Sequence, residues 1–208
     1  RPDDNVLAEE AGGSPGDGRT WIIDPLDGTV NFIHGIPQVS VSVGLYDGTT
    51  AMVGVVFDPL RDELFSAAEG EGTRLNGHVV SVSTEASLER SVIATGFPYD
   101  HDVKAEGLSI VVREVLRNVN GLRRLGSAAL DFAWVAAGRY EGYWELGIAP
   151  WDGAAGQLLV REAGGMVTDP LGRDSTPYMG LVVASNGAIH QEFRTIIESW
   201  MPMELIAP

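Results

Sequence analysis

The hydrophobic period of this chain changes partway along, and that change restricts the fold more than any other feature. From Val39 to Tyr46 the run VSVSVGLY alternates Val and Ser, the two-residue period of a half-buried strand. Asp47-Gly48 signals a turn, and AMVGVVF (Ala51 to Phe57) returns as a second strand. ELFSAA reads as a third, and Asn76-Gly77 marks a hairpin before VVSVS. Beyond that point the spacing becomes helical. VKAEGLSIVVREVLRNV (Val103 to Val119), SAALDFAWVAAG (Ser127 to Gly138) and WDGAAGQLLVREAGG (Trp151 to Gly165) each read as a helix, the last two closed by glycine. Short apolar strands, SVIAT, GYWEL and LVVAS, lie between them. Strands first, then strands alternating with helices, predict a layered α/β (α+β) sandwich rather than an all-β barrel. No repeat, linker or composition shift divides the chain, so residues 1–208 are expected to form one domain.

Composition narrows the function. The 208 residues are enough for a large core, and 44% hydrophobic against 21% charged residues is the balance of an ordinary soluble globular protein. Fourteen Lys and Arg face 29 Asp and Glu, a net charge of -15. Such a surface repels phosphate backbones and anionic lipid, so neither nucleic acid nor membrane is expected as a partner. The absence of Cys removes disulfides, thiolate metal sites and a Cys nucleophile, and fits a reducing compartment. No apolar run reaches membrane-spanning length and no signal peptide is visible. The opening RPDDNVLAEE has no Met and enters directly into a polar segment, so an N-terminal part of the natural chain is expected to be absent.

The chemistry concentrates in WIIDPLDGT, Trp21 to Thr29, where an apolar strand runs into Asp24 and Asp27 with only Pro25 and Leu26 between. Two carboxylates at this spacing can converge on one point, and like charges that close raise one pKa unless a cation lies between them. Several carboxylates together select a hard cation such as Mg²⁺, Mn²⁺ or Ca²⁺. Zinc is disfavoured, because His34, His78, His101 and His190 are scattered without ligand spacing. Gly28 lets the backbone approach a ligand, and a helix starting in GTVNF would aim free N–H groups at an anion. Bound metal would then supply the positive charge that the protein lacks. Plainer readings stand beside these. Asp-Gly is a turn in most proteins, and Asp24-Pro25 can merely end a strand. Glu9 and Glu10 can be a solvated pair, and Asp152 can be a first-turn carboxylate that favours the helix dipole.

Taken in order, EE, DPLDGT, WDGAAG and EAGG resemble the inositol monophosphatase family of Mg²⁺-dependent, lithium-sensitive phosphatases. The resemblance covers Ala8 to about Asn186 and includes RLGSAALDFAWVAAGR and LVVASN. It implies the layered αβαβα sandwich of the inositol monophosphatase and fructose-1,6-bisphosphatase type, a homodimer, and a cytoplasmic enzyme. It implies two to three Mg²⁺ ions: Glu9, Asp24 and the Leu26 carbonyl at the first, Asp24, Asp27 and Asp152 at the second, and Glu9 again at a weaker third. Phosphate would rest on the metals and on the N–H groups of Gly28 and Thr29. Thr29 and Glu9 would orient and deprotonate a water that attacks phosphorus in line, with Asp27 also in the catalytic set.

Glu145 matches the family's contact to a sugar or inositol hydroxyl, although an exposed strand-end carboxylate is an equal reading. Gly126, Ser127 and Ala128 match a segment lining the same space, and Asp27 and Asp152 can also touch substrate hydroxyls. His34 is expected to do nothing chemical, and Glu10 to be structural. The family normally carries two helices and a loop lysine ahead of EE, which this chain lacks. ATGFPYD (Ala94 to Asp100) is closer to bacterial and archaeal members. The expected reaction is hydrolysis of inositol 1-phosphate or a similar polyol phosphate. Alternatives are histidinol-phosphate, fructose-1,6-bisphosphate and phosphoadenosine-phosphate phosphatases, and a regulatory or binding protein that keeps the fold without turnover.

Overall fold

The computed structural model describes residues 4–14, 16–98 and 101–201, the side chains of 101–103 excepted. Seven strands form one sheet in chain order: β1 (Asn5–Ala8), β2 (Arg19–Asp27), β3 (Ser40–Asp47), β4 (Thr50–Asp58), β5 (Glu63–Ala68), β6 (Thr73–Leu75) and β7 (His78–Val80). β1 runs parallel to β2, and every later pair is antiparallel. The short helix α1 (Thr29–Ile33) bridges β2 and β3. The second sheet holds β8 (Val92–Thr95), β9 (Gly121–Arg123), β10 (Gly142–Leu146), β11 (Met166–Thr168) and β12 (Leu181–Ser185), in the order β11-β12-β10-β8-β9. Around it lie α2 (His101–Asn118), α3 (Ala128–Ala136), α4 (Pro150–Glu162) and α5 (His190–Trp200).

α3 and α4 fill the space between the sheets, and their apolar sides join both inner faces in the largest core cluster. Within it Phe132 meets Tyr143 edge-on at 4.7 Å between ring centroids, worth about 1 kcal/mol beyond burial alone. α2 and α5 cover the other face of the five-stranded sheet through Leu108, Val111, Val115, Phe193 and Ile197, packed on Trp144 and Val183. The expected α/β layering is thus borne out, as sheet, helices, sheet, helices. Helices on the outer face of the seven-stranded sheet, which the resemblance adds, are not built by any described residue.

The alternation in β3 has an unusual polarity. Ser40 and Ser42 are 1% and 0% exposed, whereas Val41 is 37% exposed, so the small polar side chains face the helices. Close packing explains this. A Cβ on Gly44 would lie 2.9 Å from the Ala154 Cβ, and one on Gly54 would lie 2.7 Å from the Ala155 carbonyl oxygen. α4 rests so near the sheet that Gly44 and Gly54 have no room for a side chain, and Ser42 Oγ donates to the Trp151 carbonyl at 3.3 Å. The Asn76-Gly77 hairpin forms as expected, with both residues at positive φ and Leu75 opposite His78. VVSVS is a shorter strand than expected. After Val80 the chain leaves the sheet, and the Val82 N–H donates to the Ala163 carbonyl at the end of α4.

Candidate active site

β2 continues to Asp27 instead of ending at Asp24. In a regular strand residues three apart face opposite sides of the sheet. Here Asp24 pairs with Ser42 and Asp27 with Ser40, so three steps on β2 oppose two on β3. The extra residue is a bulge at Pro25-Leu26, and Pro25 has no N–H to leave unpaired there. Ser40 and Ser42 share the inner face, so the bulge turns both aspartates inward.

Each aspartate is fixed by hydrogen bonds. Asp24 is 1% exposed, and its Oδ1 accepts the Leu26 N–H at 2.9 Å. Asp27 Oδ2 accepts from Ser40 Oγ at 2.9 Å, from the Ser127 hydroxyl in a short contact, and from the Ala129 N–H at 3.1 Å. Its Oδ1 accepts the Ala128 N–H at 3.2 Å. Asp27 therefore satisfies free N–H groups at the start of α3, a duty usually met by the N-cap side chain. Asp152 lies in the first turn of α4, and its Oδ2 accepts the Ala149 N–H at 2.9 Å. The cap reading and the cluster reading of Asp152 both hold, because one oxygen caps and the other is left over.

One carboxylate oxygen from each of Asp24, Asp27 and Asp152 lies within 4.8 Å of the others. Burial, aided by Asp27, pushes the Asp24 carboxyl up to about 7. Burial pushes Asp152 up to about 8 against the Ala149 N–H, and it raises Asp27 against the hydroxyls of Ser127 and Ser40. None of the three forms an ion pair with a Lys or Arg among the described residues. Each carboxylate oxygen offers about two lone pairs, so Asp24 and Asp152, each accepting one backbone N–H, keep ample acceptor capacity, and Asp27 keeps it on Oδ1, which accepts only the Ala128 N–H. Converging, uncompensated, all-oxygen donors fit a hard divalent cation, and the cluster could hold one.

Glu9 falls outside this triad but lines the same cavity. Parallel pairing of Ala8 with Ile23 brings Glu9 beside Asp24, whose carboxyl it helps to raise. Glu10 is exposed and does not line the cavity. Gly28 takes φ +88, and a Cβ there would sit 2.8 Å from the Gln38 carbonyl oxygen and 3.2 Å from that of Gly126. Only glycine makes this junction between β2 and α1. Thr29 Oγ1 donates to the Leu26 carbonyl at 3.0 Å.

The cavity encloses about 280 Å³, and Gly126, Ser127, Ala128 and Glu145 line it together with the triad. Glu145 is half-buried and faces inward, which removes the exposed strand-end reading. It accepts a short hydrogen bond from the Tyr143 hydroxyl, and burial pushes its carboxyl up to about 7. The Ser127 hydroxyl is committed to Asp27. Asn31 Nδ2 donates to the carbonyls of Gln38 and Leu125, both at 2.8 Å, and so ties α1 to the loop ahead of Gly126.

Two charged lining residues were missed in the sequence. Arg124 stands just ahead of Gly126. Asp131, on α3, is buried with its Oδ1 unpartnered and its carboxyl raised well above the ordinary range by burial and by Glu145. Adjacent arginines before Gly-Ser were the available signal for Arg124, but nothing in the sequence says which one turns inward. His34 and His78 are exposed, and His190 is buried between Thr168 and Ser185, pushed down to about 4 by desolvation. Tyr99 and Asp100, at the end of ATGFPYD, and the His101 side chain lie outside the described residues.

The model of the inositol monophosphatase family matches residues 1–201. The chain belongs to the inositol monophosphatase family. Inositol-1-monophosphatase of Synechocystis is 46% identical over 196 residues, 92% of this chain and 67% of that protein. Nus factor SuhB of Escherichia coli K12 is 44% identical over 187 residues, 89% of this chain and 70% of that one. The solved inositol monophosphatase of Anabaena (Nostoc) superposes with a TM-score of 0.92 at 40% identity, covering 98% of this chain and 81% of that chain. No helix among the described residues of this family member is long and apolar enough to cross a membrane.

Proposed function

We propose that the chain is a Mg²⁺-dependent phosphomonoesterase acting on inositol 1-phosphate or a similar polyol phosphate. The observation that carries this is a triad of inward carboxylates, Asp24, Asp27 and Asp152, sharing one cavity with Gly126, Ala128 and Glu145. The triad suits a divalent cation and phosphate, and Glu145 suits hydroxyl groups. Membership of the family supports the phosphatase class. Two to three Mg²⁺ ions would be held by Glu9, Asp24, Asp27, Asp152 and the Leu26 carbonyl. A homodimer in the cytoplasm and inhibition by lithium complete the reading.

Bound divalent cations supply positive charge to the phosphate and acidify water at the site. The chain's own groups do the rest. The Thr29 hydroxyl hydrogen is directed at the Leu26 carbonyl, which leaves the oxygen's lone pairs to orient an attacking water. Glu9, beside Asp24, takes that water's proton. Asp27 is fixed at the start of α3 by four hydrogen bonds, which prevents a change of geometry as charge develops at phosphorus. The N–H groups of Gly28 and Thr29 face the phosphate. Tyr143 steadies Glu145 to accept a hydroxyl of the leaving alcohol.

A second reading, a factor that acts by binding, has one finding in its favour: the Escherichia coli relative is named a Nus factor. Phosphate release from inositol 1-phosphate, histidinol phosphate and fructose 1,6-bisphosphate, with and without Mg²⁺, separates the two. Mg²⁺-dependent release from at least one supports the enzyme. No release from any overturns it for these substrates and leaves the binding factor.

A further inference from the structure

Of the described residues that line the cavity, Arg124 is the sole cation among six carboxylates, Glu9, Asp24, Asp27, Asp131, Glu145 and Asp152. Its guanidinium carbon lies 5.7 Å from the centre of the Phe97 ring. A Cβ on Gly126 would fall 2.7 Å from its Nη1, so the guanidinium rests against the Gly126 stretch of the cavity lining. It forms no hydrogen bond or ion pair with another described residue. Its charge reaches Glu145 and Asp131 and opposes the upward shift that burial gives both. A guanidinium presents its in-plane N–H donors in a fork suited to carboxylate or phosphate. Such a group in an acidic cavity has one natural use, which is to meet the far end of a ligand whose phosphate lies at the triad.

We propose that Arg124 is a specificity-determining residue that selects phosphate monoesters whose alcohol part carries a second anionic group, a carboxylate or another phosphate. This rests on the phosphatase reading of the same cavity. The second anion binds at Arg124 while the scissile phosphate lies at Asp24, Asp27 and Asp152. Neutral polyol phosphates enter the same cavity without that contact.

The test compares fructose 1,6-bisphosphate, 3-phosphoglycerate and inositol 1-phosphate on the wild-type chain, Arg124→Met and Arg124→Lys. Dissociation constants are read by calorimetry in Ca²⁺, and kcat/KM in Mg²⁺. The wild type binds at least one probe with a second anionic group about tenfold more tightly than inositol 1-phosphate, the worth of one charge-assisted hydrogen bond. Arg124→Met removes that preference, and Arg124→Lys keeps part of it. A preference for the bisphosphate alone names a second phosphate, and one for 3-phosphoglycerate alone names a carboxylate. Equal binding of all three by the wild type, or a preference that survives in Arg124→Met, overturns the inference. If the preference follows Arg124 but no probe releases phosphate in Mg²⁺, the phosphatase reading fails and the ligand assignment stands.

Discussion

Two parts of the cavity lining are built in different ways. Asp24, Asp27 and Asp152 come from a bulged strand and the first turn of a helix, and each accepts at least one backbone N–H. Glu145, Gly126 and Arg124 are steadied mainly by side chains: Tyr143 on Glu145, Asn31 on the loop before Gly126, and Phe97 beside Arg124. Backbone bonds at element ends leave little freedom, as a charged cluster requires. Chemistry therefore belongs to the first part and selectivity to the second, and substitutions in the two parts should separate the two effects.

The largest effect is expected from Asp152→Asn. Its amide oxygen can still accept the Ala149 N–H, so the fold should persist by circular dichroism while turnover falls by about 10³-fold or more, the scale of losing one preorganised electrostatic group. A variant with near-native turnover would remove Asp152 from the chemistry. Beside Glu145, a Cβ on Gly96 would fall 1.9 Å from Glu145 Oε2, so Gly96→Ala must displace that carboxylate. The expected outcome is about a tenfold rise in KM for a polyol phosphate with Mg²⁺ affinity retained. Equal loss of kcat and Mg²⁺ affinity would erase the division between the two parts.

Protons provide a finer probe. Asp24 and Asp152 ordinarily titrate near 3.8 but are raised to about 7 and about 8 in the folded chain. Between those limits the folded state binds more protons than the unfolded one, so metal-free stability falls as pH rises from about 4 to about 8. Mg²⁺ should oppose the loss most strongly near pH 8, where both groups are ionised. Thermal melts at pH 5 and pH 8, with Mg²⁺ and with EDTA, check this. A metal-free chain that is more stable at pH 8 than its Asp152→Asn variant would contradict it. The smallest effect belongs to Glu10→Gln. Glu10 is exposed and outside the cavity, so stability should change by less than about 0.5 kcal/mol and turnover by less than about twofold.

Much of the fold was legible because period and punctuation agreed. ELFSAA, GYWEL and LVVAS are strands with the expected limits, and Gly138, at φ +71, closes the chain after α3. β9 and β11 escaped because three residues carry no period, and their places depend on neighbouring strands. α5 did carry a signal, Phe193 and Ile197 four residues apart on one buried face, but it lies beyond the motifs that anchored the sequence argument. Within the site, the motifs named the aspartates but not how they converge. The bulge depends on pairing with Ser40 and Ser42, and the capping of α3 joins Asp27 to a helix a hundred residues away. Arg124 and Asp131 were illegible for a similar reason, since which side of the 124–131 stretch faces the cavity is settled by the packing of α3 between two sheets.

The central claim is that Asp24, Asp27 and Asp152 together hold a divalent cation. The most direct measurement is an anomalous difference map from crystals of this chain grown with Mn²⁺. A peak about 2.2 Å from one oxygen of each of the three aspartates is the expected result. Saturating Mn²⁺ with no peak among them, or a peak only at sites remote from the cavity, would contradict it.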